Sequence, residues 1–383
     1  MPSTSQLHTQ TTSSKTDLLG LTLPQLQAWL KERGEPAFRA KQIYSWLYEH
    51  LASDFAQMSN LPKGLRERLT EEACIGPLVV RSEQSSKDDR TRKILLELAD
   101  GKLVESVLML YPPLGESSER ATVCVSSQAG CAYGCTFCAT GQMGFDRHLS
   151  AGEIVAQVLH FARELSAEPW VARGLPGSKP IDHITNIVLM GMGEPLHNYE
   201  NVLQALRTLN SSDGFRLGAR HMTVSTVGLV PAIRKLSQEQ LQVNLAISLH
   251  APTDELRSST MPINRKYPIK ELLAACQDYI SATRRQVTFE YVLLAGVNDT
   301  PEYAHLLGEL LAPLKQFAHV NCIPVNATSA AYRPPSGEAI RVFRNILNEH
   351  NVSNSVRAER GDDIAAACGQ LRTRFENRRK QEE

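Results

Sequence analysis

Net charge is the first thing this sequence lacks. Its 41 Lys and Arg residues are balanced by 41 Asp and Glu, so the whole chain exerts no electrostatic pull on nucleic acid or a membrane surface. A neutral total still leaves room for a local basic face. Aromatic residues are few, at 6%, beside 42% hydrophobic and 21% charged residues; this is ordinary globular composition. No apolar run approaches the length of a bilayer span, which argues against a membrane protein. The opening stretch, MPSTSQLHTQTTSSKTD, has no apolar core of the kind a secretory signal needs. It reads as a disordered tail over residues 1–17. These absences point to a cytoplasmic protein in a reducing compartment. Clustered cysteines there more often bind metal or do chemistry than form structural disulfides.

What is present is a chain of 383 residues, long enough for one large domain with a smaller companion. Residues 18–77 read as a compact helical module. Thr22 and Gln25 form a capping-box pair, and Leu26, Trp29 and Leu30 share a face. Its basic residues, among them Lys31, Arg33, Arg39, Lys41, Lys63 and Arg66, are matched by acidic ones, so charge alone describes solvated helix faces. Residues 78–118 alternate or run apolar as strands, with Asp100-Gly101 as a hairpin turn. From residue 119 to about 375 strand and helix patterns alternate. ATVCVS, TNIVLMG, HMTVSTV, VNLAISL, QVTFEYVLL and HVNCIPV are the strands, and 150–164, 199–210, 229–238, 268–282, 300–315 and 336–350 the helices. Such alternation implies a parallel sheet covered by helices. About six units fall short of a full eight-fold barrel, so the expected fold is α/β, a partial (β/α)6 TIM-like barrel or open sheet. A charged tail occupies residues 376–383, and no internal repeat is found.

Half of the eight cysteines lie in CVSSQAGCAYGCTFCATGQMGF, residues 124–145. Cys131, Cys135 and Cys138 are spaced C-x₃-C-x₂-C, and Cys124 stands apart upstream. A structural zinc site wants four closed ligands; His148 is within reach, though its spacing does not demand it. A 4Fe–4S cluster takes one thiolate per iron, so three cysteines leave one iron free for a small molecule. Downstream, VLMGMGEPLHN ends a predicted strand, with Gly191 and Gly193 allowing close approach of a ligand to the backbone and Glu194 offering a carboxylate to an ammonium group.

The triad with Phe137 before its last cysteine resembles the signature of the radical S-adenosylmethionine (SAM) enzymes, and the Glu194 element resembles their GGEP-type turn. The stretches RATVCVSSQAGCAYGCTFCATGQMGFDRHLSAGEIVAQV, ITNIVLMGMGEPLHNYENV, LAISLHAPTDELRSSTMPINRKYP and ERGDDIAAACGQL together resemble the RlmN group, over roughly residues 20 to 375. That resemblance implies a methyltransferase acting on carbon 2 of adenine in 23S rRNA and in tRNA, with the helical module contributing to RNA binding. It implies one 4Fe–4S cluster on Cys131, Cys135 and Cys138, with SAM on the open iron. SAM would be held by Gly193, Glu194, Ser225, Ser248, Leu249, His250 and Asn326.

It further implies that Cys368 is methylated, that a 5′-deoxyadenosyl radical removes hydrogen from its methyl group, and that the resulting radical adds to the base. Cys124 would resolve the adduct and end in a transient disulfide with Cys368, and Glu105 would be the general base. Read without the resemblance, Glu105 is an outward-facing strand carboxylate, Ser225 a turn former, His250 a satisfied loop histidine and Asn326 a strand-end cap. An electron donor such as flavodoxin or ferredoxin is implied, and the chain is expected to act as a monomer. The alternatives are methylation at carbon 8, as in the Cfr group, a non-catalytic iron–sulfur protein that binds RNA or senses redox state, and a zinc-stabilised scaffold. The loop over 167–182 looks longer than its family counterpart. No role follows for Cys74, Cys276 or Cys322.

Overall fold

The computed structural model describes residues 15–113, 119–172, 179–326, 332–357 and Ile364. Cys368, with its flanking segment, lies outside them.

The chain begins with a short strand β1 (Thr16–Asp17) and helices α1 (Leu23–Lys31), α2 (Phe38–Tyr48) and α3 (Lys63–Glu72). The expected capping box is formed: the Thr22 side chain accepts from the Gln25 amide, and Gln25 Oε1 accepts from the Thr22 amide at 2.8 Å. A second short strand, β2 (Ala73–Cys74), returns beside β1 in parallel. Leu26, Leu30, Ile43, Leu47, Leu65 and Leu69 are buried and belong to the same continuous core as the sheet that follows.

That sheet has ten strands. β3 (Val79–Ser85), β4 (Thr91–Glu97), β5 (Leu103–Tyr111) and β6 (Arg120–Cys124) run antiparallel at one edge, with the β4–β5 hairpin turning at Asp100-Gly101. After β6 comes a small antiparallel hairpin of β7 (Gln128–Gly130) and β8 (Phe145–His148). It brackets the cysteine loop. Then follow α4 (Ala151–Ala167), β9 (Asn186–Leu189), α5 (Tyr199–Asn210), β10 (Met222–Thr226), α6 (Val230–Ser237), β11 (Asn244–Ser248), α7 (Asp254–Thr260), α8 (Ile269–Thr283), β12 (Val287–Leu293), α9 (Pro301–Leu311), β13 (Ala318–Pro324), α10 (Gly337–Glu349) and β14 (Ser353–Val356). β6 and β9 to β14 pair in parallel, in chain order. The expected α/β architecture, parallel strands alternating with helices in a partial (β/α)6 arrangement, is what the chain adopts.

Two-residue alternation decides what each strand shows to each side. On β12, Val287, Phe289 and Tyr291 pack into the core under the helices, while Glu290 and Val292 line the cavity on the concave face. α9 stops at Leu311 instead of running on to 315, and a 3-10 turn over Ala312–Leu314 takes over. Pro313 has no amide hydrogen with which to continue the α-helical ladder. Four features add to the expected set: the β1–β2 pair, the β7–β8 hairpin, α7 and β14. α7 is capped by Thr253, whose side chain accepts from the Leu256 amide. Among the described residues no helix is long and apolar enough to cross a membrane.

Candidate active site

Strand C-termini face the cavity, as they do in barrel enzymes. The loop after β6 delivers the three cysteines. It is held from two sides: the Cys131 amide donates to Gly144 O at 2.7 Å, and the Thr136 amide donates to Thr260 O at 3.0 Å, at the end of α7. Cys135, Met261 and Ile263 form a small apolar cluster of their own, flanked by Tyr133, Phe137, Cys138 and Tyr267.

Cys131, Cys135 and Cys138 line one cavity of about 220 Å³, together with Gly191, Gly193, Glu194, Ser225, Ser248 and His250. Among the described residues no three His, Cys, Asp or Glu side chains are gathered closely enough to hold a single metal ion. Three thiols spread around one cavity suit a polynuclear cluster, in which each thiolate takes a different iron. Burial pushes the Cys131 thiol up to about 11 and Cys135 higher still, so both are protonated near neutrality until a metal displaces the proton.

Glu194 is buried, and burial raises its carboxyl to about 7 despite donors that favour the ionised form. Those donors are the Val227 amide to Oε2 at 2.8 Å, the Thr226 hydroxyl, and the Leu196 amide to Oε1 at 2.9 Å. The Glu194 amide itself donates to Gln128 Oε1 at 2.8 Å. The result is a fixed carboxylate aimed into the cavity, one that gains from a cation.

The glycines before Glu194 are demanded by space. A Cβ on Gly191 would sit 2.7 Å from the Val125 carbonyl and 2.8 Å from the Ser126 amide, all backbone. Gly193 holds φ at +96°, and a Cβ there would meet Gln128 at 2.5 Å. Gly191→Ala is expected to destabilise the fold by about 1–3 kcal/mol, because backbone cannot step aside. A chemical-denaturation midpoint lowered at unchanged slope would register it, and an unchanged midpoint would contradict the packing argument.

His250 is fully enclosed and adopts φ +57°, the left-handed region. Its Nδ1 accepts from the Val292 amide at 3.0 Å and the Phe137 ring stands edge-on to it at 4.8 Å. Burial drives its pKa down to about 3, so the ring is neutral and its proton sits on Nε2. A satisfied histidine in strained backbone at a cavity wall combines both sequence readings of this residue.

Leu249 and Asn326 fall outside the cavity lining. Leu249 is buried and offers backbone: its amide donates to Glu290 O and its carbonyl accepts from Arg257. Asn326 is half-buried just beyond β13. Cys124 and Glu105 fall outside the cavity lining, on neighbouring strands where Val107 pairs with Cys124. The reading of Glu105 as an outward-facing carboxylate is overturned, since it is 4% exposed. Ser126 Oγ donates to Glu105 O at 2.6 Å and Ser106 Oγ donates to Cys124 O at 2.9 Å, stitching the two strands. Burial raises the Cys124 thiol to about 11, while the charge of Arg357 and the Met190 amide pull the other way.

Sequence reasoning missed Gln128, Arg257, Glu290 and Arg357. Gln128 sat inside the quoted cysteine motif, with no signal of its own. Its amide spans Glu194 on one side and His148 and His197, at 3.0 and 3.2 Å, on the other. Arg357 reaches the sulfurs of Met109 and Met190 at 3.9 and 4.0 Å and lines the cavity.

Comparison with known proteins agrees with this geometry. The family described as Ribosomal RNA large subunit methyltransferase N-terminal domain matches residues 16–75, and the Radical SAM superfamily matches 179–307. The probable dual-specificity RNA methyltransferase RlmN of Chloroflexus aurantiacus is 50% identical, over 92% of this chain and 92% of its own. Its namesake from Clostridium perfringens strain 13 is 46% identical, over 94% and 97%. A crystal structure of a radical SAM methyltransferase from Sphaerobacter thermophilus superposes with a TM-score of 0.85 at 48% identity, covering 93% of this chain and 98% of that one. With its fold, its cysteine-lined cavity and these relatives in agreement, the chain belongs to the RlmN family of the radical SAM superfamily.

Proposed function

We propose that the chain methylates carbon 2 of an adenine in 23S rRNA and in tRNA. The observation that carries the reading is the shared cavity of Cys131, Cys135, Cys138 and Glu194 at the strand C-termini. RNA as the substrate class is supported by the relatives, which bear the name dual-specificity RNA methyltransferase.

In this reading Cys131, Cys135 and Cys138 hold a 4Fe–4S cluster, and Glu194 receives the ammonium group of SAM. Gly193, Ser225, Ser248 and His250 line the SAM site, and Leu249 and Asn326, outside that lining, are assigned to it by the family resemblance. Bound there, cluster and SAM would supply one-electron radical chemistry to the cavity, with the electron coming from a flavodoxin- or ferredoxin-type donor. Cys368 carries the methyl group that becomes the new carbon on the base. Glu105 takes up the proton that leaves carbon 2 once the adduct radical has given up its electron. The Cys124 thiolate then attacks the Cys368 sulfur, and the bond from that sulfur to the transferred carbon breaks with its pair going to the carbon. A proton completes the methyl group, and a disulfide remains. Cys124 suits this step: its sulfur accepts from the Met190 amide, and Met190 lines the cavity. Its thiol stays protonated at rest and needs a base before it can attack. The charge of Glu105 on the next strand is felt at that thiol and also holds its pKa up. The base must leave its stack to reach the cavity. The protein works as a monomer in the cytoplasm.

The test is anaerobic reconstitution with iron, sulfide, SAM, a reductant and unmodified rRNA, followed by digestion and mass spectrometry. 2-Methyladenosine together with 5′-deoxyadenosine is the expected result. 8-Methyladenosine would keep the chemistry and overturn the carbon. Neither product from cluster-loaded protein, on rRNA or tRNA, would overturn the enzyme reading.

A further inference from the structure

Arg257 is the largest fully buried side chain among the described residues, at 0% exposure. A guanidinium in such a place is stable only if its donors are met and its charge is balanced. The donors are met by neutral oxygens. Nε donates to Leu249 O at 3.1 Å, Nη1 to Asn264 Oδ1 at 2.9 Å, and Nη2 to Val227 O at 2.7 Å and Ser248 O at 3.0 Å. All four acceptors are carbonyl or amide oxygens. The nearby carboxylate, Asp254, is exposed and reaches Arg257 through Asn264, whose Nδ2 donates to Asp254 Oδ1 at 2.9 Å.

The arginine lies against the cysteine loop. Its carbonyl accepts from the Met261 amide at 2.7 Å, and Met261 packs on Cys135. One turn further along α7, Thr260 O receives the Thr136 amide. Burial lowers the guanidinium to about 10, and the neighbour that most opposes that drop is Cys135, ahead of Asp254. A fixed cation is thus enclosed beside a thiol that must become a thiolate to bind iron.

We infer that Arg257 is the buried counter-charge of the iron–sulfur cluster, a positioning residue that raises the cluster's reduction potential. The inference rests on the reading of Cys131, Cys135 and Cys138 as cluster ligands. Reduction adds one electron to an already negative centre, so an adjacent positive charge favours the reduced form. In a water-excluded interior that influence is strong. Three of these four hydrogen bonds tie the ends of β10 and β11, which carry Ser225 and Ser248, to α7.

The experiment is a dithionite redox titration of the reconstituted full-length protein, read by electron paramagnetic resonance of the reduced cluster. Arg257→Gln is expected to lower the reduced-to-oxidised ratio at a fixed potential at least tenfold, a shift of about 59 mV for one electron. Arg257→Lys, which keeps the charge and loses the fork, is expected to stay within threefold of wild type. An unchanged potential in the glutamine protein at full iron content would overturn the inference while leaving the ligand reading intact. A lysine protein that shifts as far as the glutamine one would overturn it as well, since charge would not be the cause. Should the glutamine protein fail to fold or to load, Arg257→Met replaces it: methionine fills much of the volume without charge or unmet donors, and the potential must fall likewise or the inference is wrong. Wild-type protein that yields no cluster signal would remove the ligand reading and the inference together.

Discussion

Cys135→Ala is expected to yield folded protein with no iron–sulfur absorbance after reconstitution and no methylated RNA, whereas Cys276→Ala loads iron normally. Both thiols are buried, yet their surroundings differ. Cys276 is embedded in α8 within the continuous hydrophobic core and acts there as a small apolar filler. Cys135 lines the cavity with two other thiols. Removing its sulfur costs one ligand of three, and a cluster held by two thiolates lacks the coordination to persist. The fold should survive, because the Thr136 to Thr260 bond that anchors the loop is backbone to backbone. Circular dichroism of the alanine protein should therefore match wild type. Since burial holds Cys131 near 11 and Cys135 above it, assembly must displace protons from both. Cluster formation should accelerate as pH rises through the neutral range. Full iron content in Cys135→Ala would show that a different ligand set holds the metal.

Much of this arrangement was legible in the sequence, for reasons visible at single residues. β9 to β13 announce themselves as apolar or alternating runs because one side packs under helices and the other lines a cavity. The cysteine triad and Glu194 are recognisable from spacing, since the chemistry fixes the residue types. Glu105 was harder. In KLVESVLML the pattern sets it apart from its apolar neighbours, which suggests a solvent-facing side. Yet Leu103 to Leu110 are buried throughout, because the concave face is itself filled by Met109, Cys124 and Met190. Strand periodicity says which residues share a face and is silent on whether that face meets water.

α7 was harder again. DELRSST has one aliphatic side chain, and its stability comes from the Thr253 cap and from Arg257, a residue type expected at the surface. Only the convergence of Val227, Ser248, Leu249 and Asn264 makes its burial tolerable, and these partners come from three separate segments. β14, SNSV, carries too little hydrophobic signal to stand out; its pairing with β13 supplies what composition does not.

Glu194 sets two pH dependences of opposite sign, and Glu194→Gln should remove both. Burial raises its carboxyl from 4.5 to about 7, so the folded chain holds the proton more tightly than the unfolded one. Its contribution to stability is complete below about pH 4.5 and is lost as pH rises through about 7. SAM binding runs the other way, because an ammonium group is drawn to the ionised form. Affinity of the cluster-loaded protein for SAM should climb between about pH 5.5 and pH 7.5, with its inflection near the raised carboxyl value. Glutamine keeps the size and forfeits the charge. It also offers one acceptor where the Leu196 and Val227 amides now find two, so one buried donor loses its partner. A charge-assisted hydrogen bond is worth about 1.5–3 kcal/mol, which sets the expected loss of SAM affinity at about ten- to a hundred-fold. Isothermal titration across that range, paired with thermal melts of SAM-free protein, separates the two effects. A glutamine protein that binds SAM as tightly as wild type, with the same rise toward higher pH, would show that another group receives the ammonium. Melts that stay parallel for both proteins through the neutral range would show that the buried carboxyl does not titrate there.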